Sequence, residues 1–344
     1  MHGVSVRGIV SAVPDHEQRN DDFPHQSERE RAQFIQTTGI SRRYIVGDGQ
    51  TVTDLFVPAA DRLLDGLGWA RDSIDVLIVV TQTPEHPIPG PASSIQQRLG
   101  IPATVLAMDV NMGCSGYVYG LFTASSMLGN GLHRALLLVG DTSSTCIHPQ
   151  DKTTAPLFSD AVSATALEFD ADAPDMNFSM GTDGSGRRAI HIPAGGSAWP
   201  TNTDALTATE TDGIIRRPVD MALDGMAVFT FALKRVPANV RDLLAFTGLS
   251  IEDIDVAVFH QANKLINDRI QRKLGIPGDR IASSIEELGN TSSASIPVTI
   301  NHALRDQLDR PSTLLLSGFG VGLSWASAIV RFENVYCPPV QFQP

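Results

Sequence analysis

The 344-residue chain repeats itself, and that repetition narrows the folds open to it more than any other feature. DSIDVLIVVTQT, beginning at Asp72, matches EDIDVAVFHQAN, beginning at Glu252, at an offset of 180. IQQRLGIP from Ile95 matches IQRKLGIP from Ile270 at an offset of 175. ATALEF from Ala164 resembles ASAIVRF from Ala326 at an offset of about 162. Three matches in one order, at similar offsets, mark one ancestral unit copied twice. A chain of this length suits two units of roughly 170 residues better than one core. The expected division is an N-terminal half over 1–170 and a C-terminal half over 171–344.

Each copy reads as a strand, a helix and further strands. Val76–Thr81 is a continuous apolar, largely β-branched run, the pattern of a strand buried on both faces. Ala92–Leu99 has amphipathic helical spacing and is ended by Gly100 and Pro102. Ala135–Val139 is another buried strand. In the second copy Val256–Phe259 is the strand, and Asn263–Leu274 is the helix, closed by Gly275 and Pro277. Such alternation predicts an α/β fold with helices covering the sheets. The stretch from about Asp170 to Asp220, rich in Gly, Pro, Thr and Ala, predicts strands and loops that bridge the halves.

A formal net charge of -12 does not attract nucleic acid or an anionic membrane. No run of about 18 apolar residues occurs, so no membrane span is expected. The first residues read as a β-strand and not as a signal peptide. Three cysteines, Cys114, Cys146 and Cys337, show no CxxC and no Cys/His clustering. That argues against a disulfide framework and a structural metal, and it makes the cytoplasm the expected compartment.

Cys114 lies in DVNMGCSGYVYGLFTASSML, flanked by Gly113 and Gly116. Tyr117, Leu121, Ala124 and Met127 then recur at helical spacing, so the cysteine sits where a strand turns into a buried helix. A thiolate at a helix N-terminus is stabilised by the dipole and by free N–H groups. A buried, inert cysteine is the competing reading. Shifting Cys114 by 175 gives Gly289, next to Asn290 in ELGNTSSASIP. The nucleophile of one half and the asparagine of the other therefore occupy nearly equivalent positions, which a pseudo-twofold axis brings together. His260 ends the second-copy strand and can donate to an oxyanion or activate a thiol. His86, His148, His191 and His302 take the structural reading. GFGVGLSWAS, after the buried strand Thr313–Leu316, permits close backbone approach and lacks the spacing of a dinucleotide fingerprint.

Taken together, these segments resemble β-ketoacyl-acyl carrier protein synthase III of the thiolase superfamily. GCSGYVYGL, HQAN, GNTSSASIP and GFGVGLSWAS match in order and spacing, as do TTGISRRYI and DGSGRRAIHIPAGGS. The resemblance implies a duplicated thiolase fold, layered α-β-α-β-α with pseudo-twofold symmetry, and a homodimer. It implies that Cys114 is acylated from a thioester and that a malonyl-type extender then loses carbon dioxide and attacks the acyl group. His260 and Asn290 would steady the extender's oxygen, and the backbone N–H groups of Cys114 and Val321 the acyl oxygen. It further implies substrate contacts at Ile88, Phe158, Phe229, Asn263 and Phe319. The substrates implied are acyl-CoA or acyl carrier protein thioesters, with no permanently bound cofactor.

Departures from the family pattern concern the substrate. The stretch QFIQTTGI places Gln33 and Thr37 where the family has the tryptophan and arginine that hold coenzyme A. Lys152 and Met226 stand at two further coenzyme A positions, an arginine and an asparagine. An acylated carrier protein is therefore the expected donor, with Lys264, Arg269, Arg272 and Lys273 as a basic docking face on one helix. Ile88 replaces a phenylalanine that caps the neighbouring subunit's acyl pocket, which leaves room for a chain longer than acetyl. FSDAVSATA from Phe158 replaces a glycine-richer segment behind Cys114. Two readings compete with condensation: simple acyl transfer to an oxygen, nitrogen or sulfur nucleophile, and a non-catalytic partner subunit.

Overall fold

Every side chain of the run Val76–Val80 is buried, as a parallel strand covered on both faces requires. The computed structural model describes all 344 residues and sets this run inside a six-stranded sheet. Its strands from the first half are β1 (Val4–Pro14), β2 (Val76–Val80), β3 (Leu106–Val110), β4 (Arg134–Asp141) and β5 (Ala161–Phe169). A second, five-stranded sheet holds β6 (Asn177–Thr182), β7 (Val256–Phe259), β8 (Ile281–Ala282), β9 (Ser312–Gly320) and β10 (Ser324–Phe332).

The spatial order is β1-β5-β4-β2-β3 in the first sheet and β6-β10-β9-β7-β8 in the second. In both, the first two pairings are antiparallel and the last two parallel. The repeat seen in the sequence is thus a repeat of strand order and direction. The sixth strand of the first sheet is β11 (Gln341–Gln343), which returns from the chain end to pair parallel with β1.

Seven helices matter for the layers: α1 (Glu28–Thr38), α2 (Val52–Leu67), α3 (Pro91–Arg98), α4 (Gly116–Met127), α5 (Gly225–Thr247), α6 (Lys264–Leu274) and α7 (Ser295–Ala303). α4 and α7 lie between the sheets, where Leu121 and Ile300 share one core with Ile78 and Leu316. Helices α2 and α3 cover the outer face of the first sheet, through Leu63 and Ile95 against Leu77. Helices α5 and α6 cover the outer face of the second, through Phe231 and Ile270 against Leu315. This is the α-β-α-β-α layering of the thiolase fold. A helix enclosed by two sheets must be apolar on every side, and GYVYGLFTASSM meets that demand without charged residues.

Local signals account for the element ends. Helices α3 and α6 stop at Gly100 and Gly275, whose φ values of 67° and 72° lie in the left-handed region that glycine adopts freely. Asn263 is the N-cap of α6, its side chain accepting the Ile266 N–H at 2.9 Å. The stretch after Asp170 supplies β6 to the second sheet and a hairpin over Thr209–Arg216. That hairpin turns on Asp212 and Gly213, both left-handed as a two-residue turn requires. No helix is long and apolar enough to cross a membrane.

Leu121, fully buried on α4, reports on the central layer. Leu121→Ala is expected to lower unfolding free energy by about 2–5 kcal/mol in urea titrations. A loss below ~1 kcal/mol would mean that α4 is not enclosed by both sheets.

Candidate active site

The site forms where loops from both halves enter the two central helices. Cys114 precedes α4 in a turn closed by the Gly116 N–H donating to the Gly113 carbonyl at 2.6 Å. Asn290 leads into α7 from the equivalent place in the second half. Strand β9 presses on the cysteine turn. A Cβ added to Gly320 would lie 2.7 Å from the Cys114 sulfur, and one on Gly318 would lie 2.8 Å from Ser115 Cα. Only glycine lets the two backbones approach so closely. Val321, just past β9, directs its N–H to the Cys114 sulfur.

His260 follows β7 and is buried. Its Nδ1 lies 2.7 Å from Ser295 Oγ on α7, and its ring stands edge-on to Phe319 at 5.5 Å. Burial pushes the imidazole down to about 3, opposed by a hydrogen bond to the Ser292 backbone, so the ring is neutral at physiological pH. Asn290 is clamped by its own backbone, which donates to the Leu157 carbonyl at 3.2 Å and accepts from the Ser159 N–H at 2.9 Å. Its amide oxygen accepts the Ser292 N–H at 3.0 Å, and its amide nitrogen donates to the Ala262 carbonyl at 3.4 Å. Ser292 also reaches Cys114 through its hydroxyl, so one residue touches all three candidates. It sits at φ 49°, a strained left-handed conformation for a serine.

The cysteine corrects one expectation. A helix N-terminus predicts a stabilised thiolate, but burial pushes the Cys114 thiol up to about 11. The N–H groups of Val321 and Cys114 and the Ser292 hydroxyl oppose that rise without overcoming it. Asp141 adds to it as a neighbouring negative charge. This buried carboxylate ends β4 and accepts from Gln82 N–H at 2.7 Å, Ser293 Oγ at 2.7 Å and Thr81 Oγ1 at 3.2 Å. Burial raises its own pKa as well.

A cavity of about 220 Å³ opens on the sulfur. Cys114, Phe158 and Val321 line it, as expected, together with Asp141, Cys146 and His191. Sequence reasoning missed Asp141, Ser292 and Cys146, and it set His191 aside as structural. Asp141 had one available signal: it ends the strand β4, whose counterpart β9 ends at Gly320 beside the sulfur. Phe158 also borders a second cavity, of about 590 Å³, lined by Phe23, Arg43 and Ile147.

Four expected substrate contacts are not on the Cys114 cavity wall. Phe319 is buried against His260 and in the core beneath α5 and α6. Phe229 packs against that same core, because it lies on the inward side of α5. Asn263 spends its side-chain oxygen on capping α6. Ile88 is 88% exposed on a loop beyond β2.

Gln33, Thr37 and Lys152 do share one surface cleft. There Gln33 donates to Thr37 at 3.0 Å, and Lys152 pairs with Glu30 at 3.2 Å. Met226 is exposed outside it. On α6, Lys264 and Arg272 both face Asp268, at 2.8 and 3.9 Å, and Lys273 donates to the Leu233 carbonyl at 3.0 Å. Arg269 is exposed on the same helix. No group of three or more His, Cys, Asp or Glu residues is placed to hold a metal ion.

Residues 108–184 match the family described as 3-oxoacyl-[acyl-carrier-protein (ACP)] synthase III, and residues 244–332 match its C-terminal part. A putative 3-oxoacyl-[acyl-carrier-protein] synthase 3 of Campylobacter jejuni is 35% identical over 96% of this chain and 94% of its own. The β-ketoacyl-[acyl-carrier-protein] synthase III of Rhodopirellula baltica is 33% identical over 96% and 99%. The crystal structure of a 3-oxoacyl-(acyl-carrier protein) synthase from Burkholderia xenovorans LB400 superimposes with a TM-score of 0.91 at 36% identity, over 98% of this chain and 97% of that one. Two sheets of one topology, with a cysteine turn at their seam, define a thiolase-fold enzyme. Within that class the chain belongs to the 3-oxoacyl-[acyl-carrier-protein] synthase III family of ketosynthases.

In the free protein, iodoacetamide modification at Cys114, followed by peptide mass spectrometry, is expected to accelerate with pH beyond 9 and toward about 11. A plateau near ~8.5, the value of an ordinary free cysteine, would contradict a desolvated thiol.

Proposed function

We propose that the chain carries an acyl group on Cys114 and joins it to a malonyl-type thioester by decarboxylative Claisen condensation. The observation that supports this most is the meeting of donors at one cavity floor. The Val321 N–H from one half and the Cys114 N–H from the other both face the sulfur. A tetrahedral oxyanion formed at that sulfur's acyl carbon finds two preorganised donors.

In the first half-reaction the Cys114 sulfur attacks the donor thioester carbonyl. A carbon–sulfur bond to Cys114 forms, the bond to the donor's sulfur breaks, and the thiol proton leaves on the released donor thiol. In the second, the extender loses carbon dioxide, and the freed electron pair makes an enolate. Its carbon attacks the acyl carbonyl, a carbon–carbon bond forms, and Cys114 departs as a thiolate that regains a proton. His260 and Asn290 act on the enolate oxygen. A ring held neutral by burial serves there as an N–H donor, and it is a poor base for a buried thiol. Simple acyl transfer generates no enolate and gives the Asn290 carboxamide nothing to stabilise.

The donor we infer is an acylated carrier protein. In the cleft at the coenzyme A positions, Gln33 bonds Thr37 and Lys152 pairs with Glu30, so the residues at the family's tryptophan and arginine positions offer neither an aromatic face nor a cation, and Phe34 and the exposed Arg29 are the aromatic and the unpaired cation that line it. On the docking helix Arg269 is exposed and is engaged neither by Asp268, as Lys264 and Arg272 are, nor by a backbone carbonyl, as Lys273 is. We also infer a homodimer. β3 is an edge strand of the first sheet, with Leu106 39% exposed, and unpaired edges of this kind invite a second copy. Leu106→Lys is expected to shift the molar mass in light scattering from dimer toward monomer, and a monomeric wild type would end that inference.

Intact-protein mass spectrometry with acyl-thioesters is expected to show one acyl adduct, absent in Cys114→Ala. Asn290→Ala and His260→Ala are expected to keep the adduct while release of labelled carbon dioxide from a malonyl thioester falls about 10²–10³-fold. An adduct on the wild type with no carbon dioxide release would favour plain acyl transfer. No adduct at all would leave the non-catalytic reading.

A further inference from the structure

The cavity at Cys114 has a polar side for which the condensation chemistry provides no task. His191, at the end of the two-residue strand Ile190–His191, lines it. The Nδ1 of this histidine is shielded from water and has no hydrogen-bond partner in the chain. Its backbone pairs with Ala222, but no hydrogen bond within the chain fixes its ring. Ser143 and Cys146 add a hydroxyl and a thiol to the same wall, while Phe158, Ile190, Met221 and Val321 supply apolar surface. Buried polar groups in folded proteins nearly always find partners, so an unpartnered ring beside a substrate cavity points to a partner that arrives with the substrate.

The cavity also restricts what that partner is. No Lys or Arg lines it, and Asp141 is its acid. A carboxylate on the acyl group would meet a like charge with no fixed cation to offset it, so the fitting oxygen is neutral. A volume of about 220 Å³ is small for a ligand site and suits a short acyl chain.

We propose that His191 is a specificity-determining residue that hydrogen-bonds a neutral oxygen, a hydroxyl or keto group, on the acyl chain delivered to Cys114. The inference rests on the acyl-cysteine reading above. A half-turn of the ring about Cβ–Cγ exchanges its carbon and nitrogen edges, so a bound oxygen selects the orientation that serves it. A site built around such a hydrogen bond rejects the analogue that lacks the oxygen, because the ring is then left unpaired.

The test uses N-acetylcysteamine thioesters, which bypass both coenzyme A and carrier recognition. Rates of Cys114 acylation by hexanoyl, 3-hydroxyhexanoyl and 5-hydroxyhexanoyl thioesters are read by intact-protein mass spectrometry. Wild type is expected to prefer at least one hydroxylated donor over hexanoyl by about tenfold or more. His191→Phe keeps a ring and removes both nitrogens; its ratio is expected to fall to near one while hexanoyl acylation persists. His191→Gln restores hydrogen bonding and is expected to recover part of the preference. Wild type showing no preference for either hydroxylated donor overturns the proposal, and so does an unchanged ratio in His191→Phe. Should His191→Phe not fold, the wild-type ratio and the His191→Gln ratio still decide. Failure of all three donors to acylate wild type would overturn the acyl-cysteine reading beneath it, and Cys114→Ala identifies any adduct formed elsewhere.

Discussion

Everything at this site depends on two backbones coming closer than side chains allow. At Gly318 and Gly320 a strand of the second sheet lies against the cysteine turn of the first half. The strand end then delivers the Val321 N–H to the sulfur. Two further buried contacts hold the seam: Ser115 Oγ to Ser324 Oγ at 2.7 Å, and Ser293 Oγ to Asp141 at 2.7 Å. Each joins a residue of one copy to a residue of the other. The seam is therefore both the mechanical joint of the molecule and the place where its reactive groups gather.

Desolvation sets the electrical character of that place. The thiol is held protonated and the imidazole unprotonated, both because burial disfavours their charged forms. An ion pair of thiolate and imidazolium is thus not the resting state. What the cavity offers a developing negative oxygen is a pair of fixed dipoles, the backbone N–H groups of Cys114 and Val321, while the Asn290 carboxamide and the neutral His260 ring lie behind Ser292, off the cavity wall. Such donors are effective because they are aimed in advance and need no reorganisation as charge develops. The left-handed Ser292 belongs to this economy of placement, since its backbone and hydroxyl orient three neighbours at once.

Much of the fold was legible because the chain states it twice. The buried strands Val76–Val80 and Val256–Phe259 announce themselves as apolar runs, and Gly100 and Gly275 mark the ends of their partner helices. Glycine flanks, strand ends and the repeat offset single out Cys114, His260 and Asn290 as candidates, and the fold brings all three against Ser292. Other features were hidden for physical reasons. The contact of Asp141 with Ser293 spans 152 residues and leaves no local trace. The pKa of Cys114 depends on how deeply the turn is buried, which no helix-start signal reports. Asn263 carries a capping signal immediately before a helix, and its side-chain oxygen is used there rather than in the substrate contact that the family likeness implies. His191 lies on a two-residue strand, too short for any periodicity to say which way its ring faces.

The last three paired residues of the chain tie its beginning to its end. β11 lies parallel to β1 at the outer edge of the first sheet, with Ala12, Val13 and Pro14 opposite Gln341, Phe342 and Gln343. The Asp15 N–H donates to the Gln343 carbonyl at 2.8 Å, and the Phe342 ring meets Tyr44 edge-on at 5.2 Å. A gene cut at the repeat boundary would thus leave the leading fragment one strand short and the trailing fragment with an orphan ribbon. The ancestral unit was copied, but its descendants have been laced together and no longer separate cleanly into the two parts from which they came.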